Sequence, residues 1–245
     1  MTGKARTTSA PRTPPRRRQR VSHSLEAVLA EAIALLDEAG ESALTFRALA
    51  VRLGGGVGSI FWYVSGKEEL LDRATDEVMA QVLVASEDLV DGPDPIANLR
   101  AVSLALFDEM VRRPWFGSYM LRNTVLQPNS MLMFERLGQQ LMRLHLTPRQ
   151  RFHAVSSLVS YVVGVALDMA QPPPQEFLDS GLEPRQFLAM YADRWRALDP
   201  DQYPFVHHIA DEFVVHDDVD VFRSGLDLLL AGVGMQARQD PADVM

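Results

Sequence analysis

Leu44-Thr-Phe-Arg-Ala-Leu-Ala-Val-Arg-Leu-Gly-Gly-Gly-Val-Gly-Ser-Ile-Phe-Trp-Tyr-Val-Ser-Gly-Lys67 reads as two short helices joined by a glycine turn. Thr45 caps the first, whose inner face is Leu49, Ala50 and Leu53. Gly54-Gly55-Gly56 breaks it, and the second runs from about Val57 to Val64. Paired helices of this kind let the second lie in the major groove while the first braces it on the backbone. Trp62, Tyr63 and Lys67 are then expected to be exposed where that backbone runs. A nucleotide-cradling loop is excluded, because no strand precedes the glycines.

Outward from this core the pattern stays helical. Leu25, Val28, Leu29, Ala32, Ile33, Leu36 and Ala39 recur at 3/4 spacing, predicting one amphipathic helix ended by Gly40. Ser65-Gly-Lys-Glu68 has the form of a capping box, opening a long fourth helix with Leu70, Leu71, Ala74, Val78, Val82 and Leu83 on one side. Asp91-Gly-Pro-Asp-Pro95 breaks the chain. Further helices are expected over about 95–113, 130–144, 148–170, 184–198, 205–214 and 218–238, with a short segment from Trp115. Alternating strand patterns and internal repeats are missing. The fold class is all-α: an N-terminal three-helix domain with the helix-turn-helix, joined by a long helix to a helical second domain. The expected divisions are an unstructured basic arm over 1–21, the helix-turn-helix domain over 22–68, the second domain over 69–238 and a tail over 239–245.

Charge and composition narrow the function. The net charge of −8 conceals a basic N-terminus: Lys4, Arg6, Arg12, Arg16, Arg17, Arg18 and Arg20 stand with no acid among residues 1–20. The rest holds 17 bases against 32 acids, so any DNA contact must be local and must use the arm, Arg16, Arg17, Arg18 and Arg20 in particular. Absence of cysteine excludes disulfides, thiolate catalysis and cysteine-ligated metal, and fits a reducing, cytoplasmic setting. No uninterrupted apolar run approaches the ~20 residues of a membrane helix, and no apolar stretch of a secretory signal follows the basic start. His207, Asp211, His216 and Asp217 are spaced too irregularly for a metal set and read as a solvated helix end. With no acid–base pair or triad, neither an enzyme nor a cofactor is expected.

The combined pattern Leu-Thr-x-Arg-x-Leu-Ala at 44–50, Leu-Gly at 53–54, an aliphatic–aromatic–Trp run at 60–62, then Val64 and Lys67, resembles the tetracycline-repressor (TetR) family. The resemblance implies that Thr45 and Arg47 lie at the DNA. Val57, Gly58 and Ser59 would begin the groove-facing helix, and Phe61, Trp62, Tyr63 and Lys67 would clamp the phosphate backbone. A lysine in a helix's first turn opposes the helix dipole, which makes a phosphate there more plausible. Two departures stand out: Phe61 occupies a place where tyrosine is frequent, and the glycines leave few side chains for base readout. Shape readout and the arm are expected to compensate.

Phe107, Met110, Trp115, Phe116, Met120, Met131, Met133, Phe134, Leu137 and Met142 crowd into 36 residues. They suit either an adaptable small-molecule cavity or an ordinary core. The resemblance favours the cavity, lined by Phe107, Met110, Trp115, Phe116, Met120, Phe134, Leu137, Tyr161 and Asp168. Asp168 is either a polar anchor or an ion-pair partner. The resemblance also implies that helix 148–170 and the closing helix pair with their counterparts in a homodimer. The apolar stripes Val155, Leu158, Val159, Val162 and Phe222, Leu226, Leu229, Leu230, Val233 are consistent with that. The expected function is a ligand-responsive regulator, a repressor released from a palindromic double-stranded operator by an apolar or amphipathic effector. The rival reading is a helical ligand-binding or interaction protein with little specific DNA affinity.

Overall fold

Hydrophobic spacing of three and four residues dictates what forms. The computed structural model describes residues 23–123 and 127–239, and among these the chain builds twelve α-helices and no strand. The expectations for the basic arm, Arg16, Arg17, Arg18 and Arg20 included, and for the tail beyond Gln239 lie outside the described residues.

Helix α1 (Leu25–Ala43) is capped by the Ser24 hydroxyl, which accepts from the Ala27 amide at 3.1 Å. Its buried face is Val28, Leu29, Ala32, Ile33, Leu35 and Leu36. Gly40, at φ 71°, breaks the helical path, and one further turn follows to Ala43. Helix α2 (Phe46–Arg52) is capped by Thr45, whose hydroxyl accepts from the Ala48 amide at 3.1 Å. Arg52 binds it to α1 through Glu31 and Glu38. At its end Gly54 takes φ 64°, with its amide on Val51 and the Gly55 amide on the Ala50 carbonyl. This double closure uses the left-handed conformation that a side chain disfavours.

Helix α3 spans only Val57–Ile60, four residues short of the expected end. Gly56 supplies no side-chain cap and Gly58 weakens the interior, so the chain leaves the helix in a turn closed by the Tyr63 and Val64 amides on the Ile60 carbonyl. Ile60 and Val64 are buried nonetheless and anchor the turn.

Helix α4 (Lys67–Ala85) follows. The Ser65–Glu68 capping box does not form: Gly66 is the cap residue, and Glu69 takes the Ser65 amide and hydroxyl, each at 2.7 Å. The fourth residue on, rather than the third, reaches back because the cap sits one residue later. These bonds and the Arg73 guanidinium hold the Glu69 carboxyl at a pKa of about 2.

The 91–94 loop is riveted by buried Asn98, whose amide donates to the Val90 and Gly92 carbonyls and to Gln140, at 2.9–3.0 Å. Beyond it lie α5 (Pro95–Arg112), α6 (Pro114–Asn123), α7 (Pro128–Met142), α8 (Pro148–Met169) and α12 (Asp218–Gln236), which pack as one body. Pro114 both stops α5 and starts α6, since a first-turn proline needs no amide. Helix α8 is long and apolar enough to cross a membrane by length and hydropathy, but it packs here against α5, α6, α7 and α12. Between α8 and α12, α9 (Gln175–Ser180), unforeseen in the sequence, packs on α10 (Pro184–Arg196), which forms a hairpin with α11 (Pro204–Val215). That hairpin has its own small core of Phe187, Ala192 and Ala210.

Candidate nucleic-acid interface

The turn from α2 to α3 creates an apolar, solvent-facing surface that the chain's own packing does not explain. Trp62 is 86% exposed, Val51 75% and Phe61 52%. Phe61 rests edge-on against Phe46 of α2, its ring centroid 4.8 Å away, which stiffens the turn. Arg47 and Gly58 are exposed beside them, and Thr45 spends its hydroxyl on the α2 cap. Val57 and Ser59 are half-buried; the Ser59 hydroxyl donates to the Gly56 carbonyl at 2.6 Å. Helix α3 itself therefore turns few polar side chains to solvent.

Two expectations change. Tyr63 is half-buried rather than exposed, because its hydroxyl donates to the His23 carbonyl. Lys67 is exposed, yet its ammonium already donates to the Glu41 carbonyl at 2.7 Å. That carbonyl closes the last turn of α1, so one cation satisfies a helix C-terminus while sitting at the N-terminus of another.

Behind the reading surface, α1 and α4 are fastened to the second domain through side chains that periodicity could not single out. Arg113 is 9% exposed and donates from Nε to both Asp37 oxygens at 3.0–3.1 Å. It also pairs with Glu109, and the Trp115 indole donates to Asp37 at 2.7 Å. Arg122 reaches Glu41 at 2.6 Å. Tyr119 donates to Asp72 at 2.9 Å, and Asn129 binds Asp76 through backbone and side chain. Apart from the Arg113–Glu109 pair, which stays on α5, these bonds join α6, or a segment flanking it, to α1 and α4.

The residues expected to line a cavity divide. Phe107, Met110, Trp115, Phe116, Met120 and Leu137 are buried in the main core, with Phe107 stacked on Phe222 at 3.5 Å. Tyr161 is half-buried and donates to the Phe222 carbonyl, whereas Phe134 and Asp168 are exposed. Among the described residues, Asp168 makes no side-chain hydrogen bond or ion pair. A groove of about 440 Å³ lies between α4 and α7, lined by Leu83, Val84, Glu87, Asn129, Leu132, Glu135 and Arg136 among others. None of the nine expected residues borders it.

The dimer stripes also require correction. Val155, Leu158, Val162, Phe222, Leu226, Leu230 and Val233 are all buried within this chain, and Val159 and Leu229 pack half-buried on the same core. An amphipathic helix turns its richest stripe toward its own domain first. What α12 leaves outside is Val221 (55% exposed), Ser224, Leu228 (75%), Ala231 and Met235 (58%), again at 3/4 spacing. On α8 the outer face is Phe152, Ser157, Ser160 and Gly164.

The histidine group of the α11–α12 junction has other employment. Asp211 pairs with Arg196, Asp217 caps α12, His207 meets the Leu198 carbonyl at 2.9 Å and His216 packs on Phe213.

Comparison with known proteins follows the same division of the chain. The family model described as "Bacterial regulatory proteins, tetR family" matches residues 28–74, and "Tetracyclin repressor-like, C-terminal domain" matches 93–237. The chain is 28% identical over 235 residues to the HTH-type transcriptional repressor DrrR1 of Streptomyces coeruleorubidus, covering 92% of this chain and 82% of that protein. Among solved structures it is similar to the transcriptional regulator SCO7222 of Streptomyces coelicolor, at 34% identity and a TM-score of 0.72, over 88% of this chain and 100% of that one. The fold is shared by Streptomyces coelicolor ActR in complex with actinorhodin, at 22% identity and a TM-score of 0.72, over 89% and 99% of the two chains.

Proposed function

We infer, for a chain that belongs to the tetR family of bacterial regulatory proteins, a dimeric DNA-binding transcription regulator whose grip on its operator responds to a small molecule. The observation that carries this is the reading surface: Trp62, Val51 and Phe61 exposed together, with Arg47 and Lys67 beside them, on a helix-turn-helix braced from behind. Arg47, Val57, Gly58, Phe61, Trp62 and Lys67 are assigned to DNA. The phosphate that Lys67 meets would share its ammonium with the Glu41 carbonyl. Two such readers in a homodimer require a palindromic operator.

The dimer is assigned to the outer stripe of α12, Val221, Leu228, Ala231 and Met235, against the small-residue face of α8. Ligand response is supported by the polar joints between α6 and the reader, which tie movement in the second domain to α1 and α4. Actinorhodin occupies a structure of the same fold, and an apolar or amphipathic effector is the matching proposal here. Repression is the sign carried by the DrrR1 name, and the cytoplasm is the compartment a DNA reader of bacterial type requires.

The test is selection of a random duplex pool by the full-length protein, with Lys67→Ala in parallel. An enriched palindrome that the variant binds more weakly, with a salt slope shallower by about 0.9, supports the reading. Absence of enrichment at low salt overturns it and leaves the rival reading, a ligand-binding protein without a specific operator.

A further inference from the structure

The seam between α4 and α7 is pinned at two places. At the start of α7, Asn129 gives its backbone amide and its side-chain amide to the Asp76 carboxylate, each at 2.9 Å. Further on, Arg136 donates to the Leu83 carbonyl and, at 2.7 Å, to the buried Ser86 hydroxyl, where α4 ends. The second pin lies seven residues beyond the first on both helices, so they run side by side in one direction with about 10 Å between pins. Between the pins Ala80 contributes only a methyl group, and the groove of about 440 Å³ is left open.

Its lining has two characters. Leu83, Val84 and Leu132 make an apolar surface, and Val84 and Leu132 are exposed on it. Beside them stand three charged groups. Arg136 is committed to the end of α4. Glu135 accepts a bond only from the Gln139 amide, at 3.1 Å, and the Glu87 side chain has no hydrogen bond or ion pair among the described residues. Two carboxylates against one guanidinium leave the groove negative, and the carbonyl end of α4 adds to that sign. An anion would be repelled here, and a hydrated metal ion would gain nothing from the leucines. The volume is in the range that holds a drug-sized molecule.

We propose that the α4–α7 groove is the effector site and that its occupant is an amphipathic organic cation, its apolar body on Ala80, Val84 and Leu132 and its charge beside Glu87 and Glu135. Such an occupant touches both helices between the pins. Helix α4 leads straight back to the reader through Lys67, so a seam spaced differently in the DNA-bound and free forms converts occupancy into operator affinity. The proposal deepens the ligand-responsive reading above, and its regulatory part rests on that reading.

Tetraphenylphosphonium and tetraphenylborate, ions of one shape and opposite charge, test it when titrated calorimetrically into the full-length protein at constant ionic strength. The cation should bind, and the anion at least about tenfold more weakly. Glu87→Gln and Glu135→Gln should each weaken the cation about two- to fivefold. Ala80→Leu, which fills the groove, should abolish binding, and Leu132→Lys, at an exposed position, should do the same without lowering Tm. Equal affinity for the two ions, no binding of the cation at millimolar concentration, or binding that Leu132→Lys leaves intact overturns the assignment. Regulation is read separately, on the duplex that the wild type enriches. Saturating cation should weaken wild-type binding about fivefold or more and leave Leu132→Lys unaffected; cation binding without that loss overturns the effector role. Failure of the wild type to select any duplex is a different result, which removes the DNA reading and leaves the calorimetry to decide the site.

Discussion

Asp37→Ala tests the joint between reader and second domain most directly. The carboxylate, one-third exposed, accepts the Arg113 Nε–H across both its oxygens, from a side chain 10% exposed, and one further bond from the Trp115 indole. Removing one partner of a fully buried pair costs about 3–5 kcal/mol. Two features reduce this: Asp37 is partly solvated, and Arg113 keeps Glu109. A loss of about 2–3 kcal/mol remains, of which the indole bond contributes about 1. For a chain of this size that lowers Tm by about 4–12 °C in differential scanning calorimetry. Trp115→Phe alone should lower it by about 2–4 °C. The double variant should fall short of additivity by about 1 kcal/mol, since both changes remove one bond. A Tm loss under about 1 °C for Asp37→Ala, or strict additivity with Trp115→Phe, refutes the idea that this carboxylate holds the two domains together.

Other expectations are more local. Leu228→Arg on the outer stripe of α12 should convert a dimer into a folded monomer by light scattering, whereas a dimer that persists unchanged removes that stripe from the interface. Leu226→Ala, fully buried two residues earlier, should instead cost about 2–5 kcal/mol of stability in urea unfolding. Glu69 has its folded pKa depressed to about 2 from an ordinary 4.5, so its contribution is present above about pH 4.5 and is lost as pH falls toward 2. Glu69→Gln should flatten that acid limb of stability, and an unaltered limb would show that the Ser65 cap does not matter. Gly54→Ala must hold a side chain at φ 64° and should cost about 1 kcal/mol, measurable by thermal denaturation.

What could be read from the chain alone was whatever depends on local spacing. Apolar residues at 3/4 intervals define helices whatever their surroundings, and Gly54, Pro95, Pro148 and Thr45 punctuate them through their own backbone chemistry. The exposure of Arg47, Gly58 and Trp62 was legible for the same reason, since these residues belong to one short helix-turn-helix stretch. Tertiary structure decided everything that depends on which side of a helix meets which neighbour. Phe222, Leu226 and Leu230 are an apolar stripe in either environment, and only packing on α5 and α8 assigns them to the chain's own core and leaves Val221, Leu228 and Met235 outside. Asp37 and Arg113 are 76 residues apart, and Tyr63 and His23 are 40. Periodicity describes a single helix about its own axis, so it carries no information about such pairs. They exist because burial of the shared core brings the helices together, and the polar groups left at the seams must then find one another.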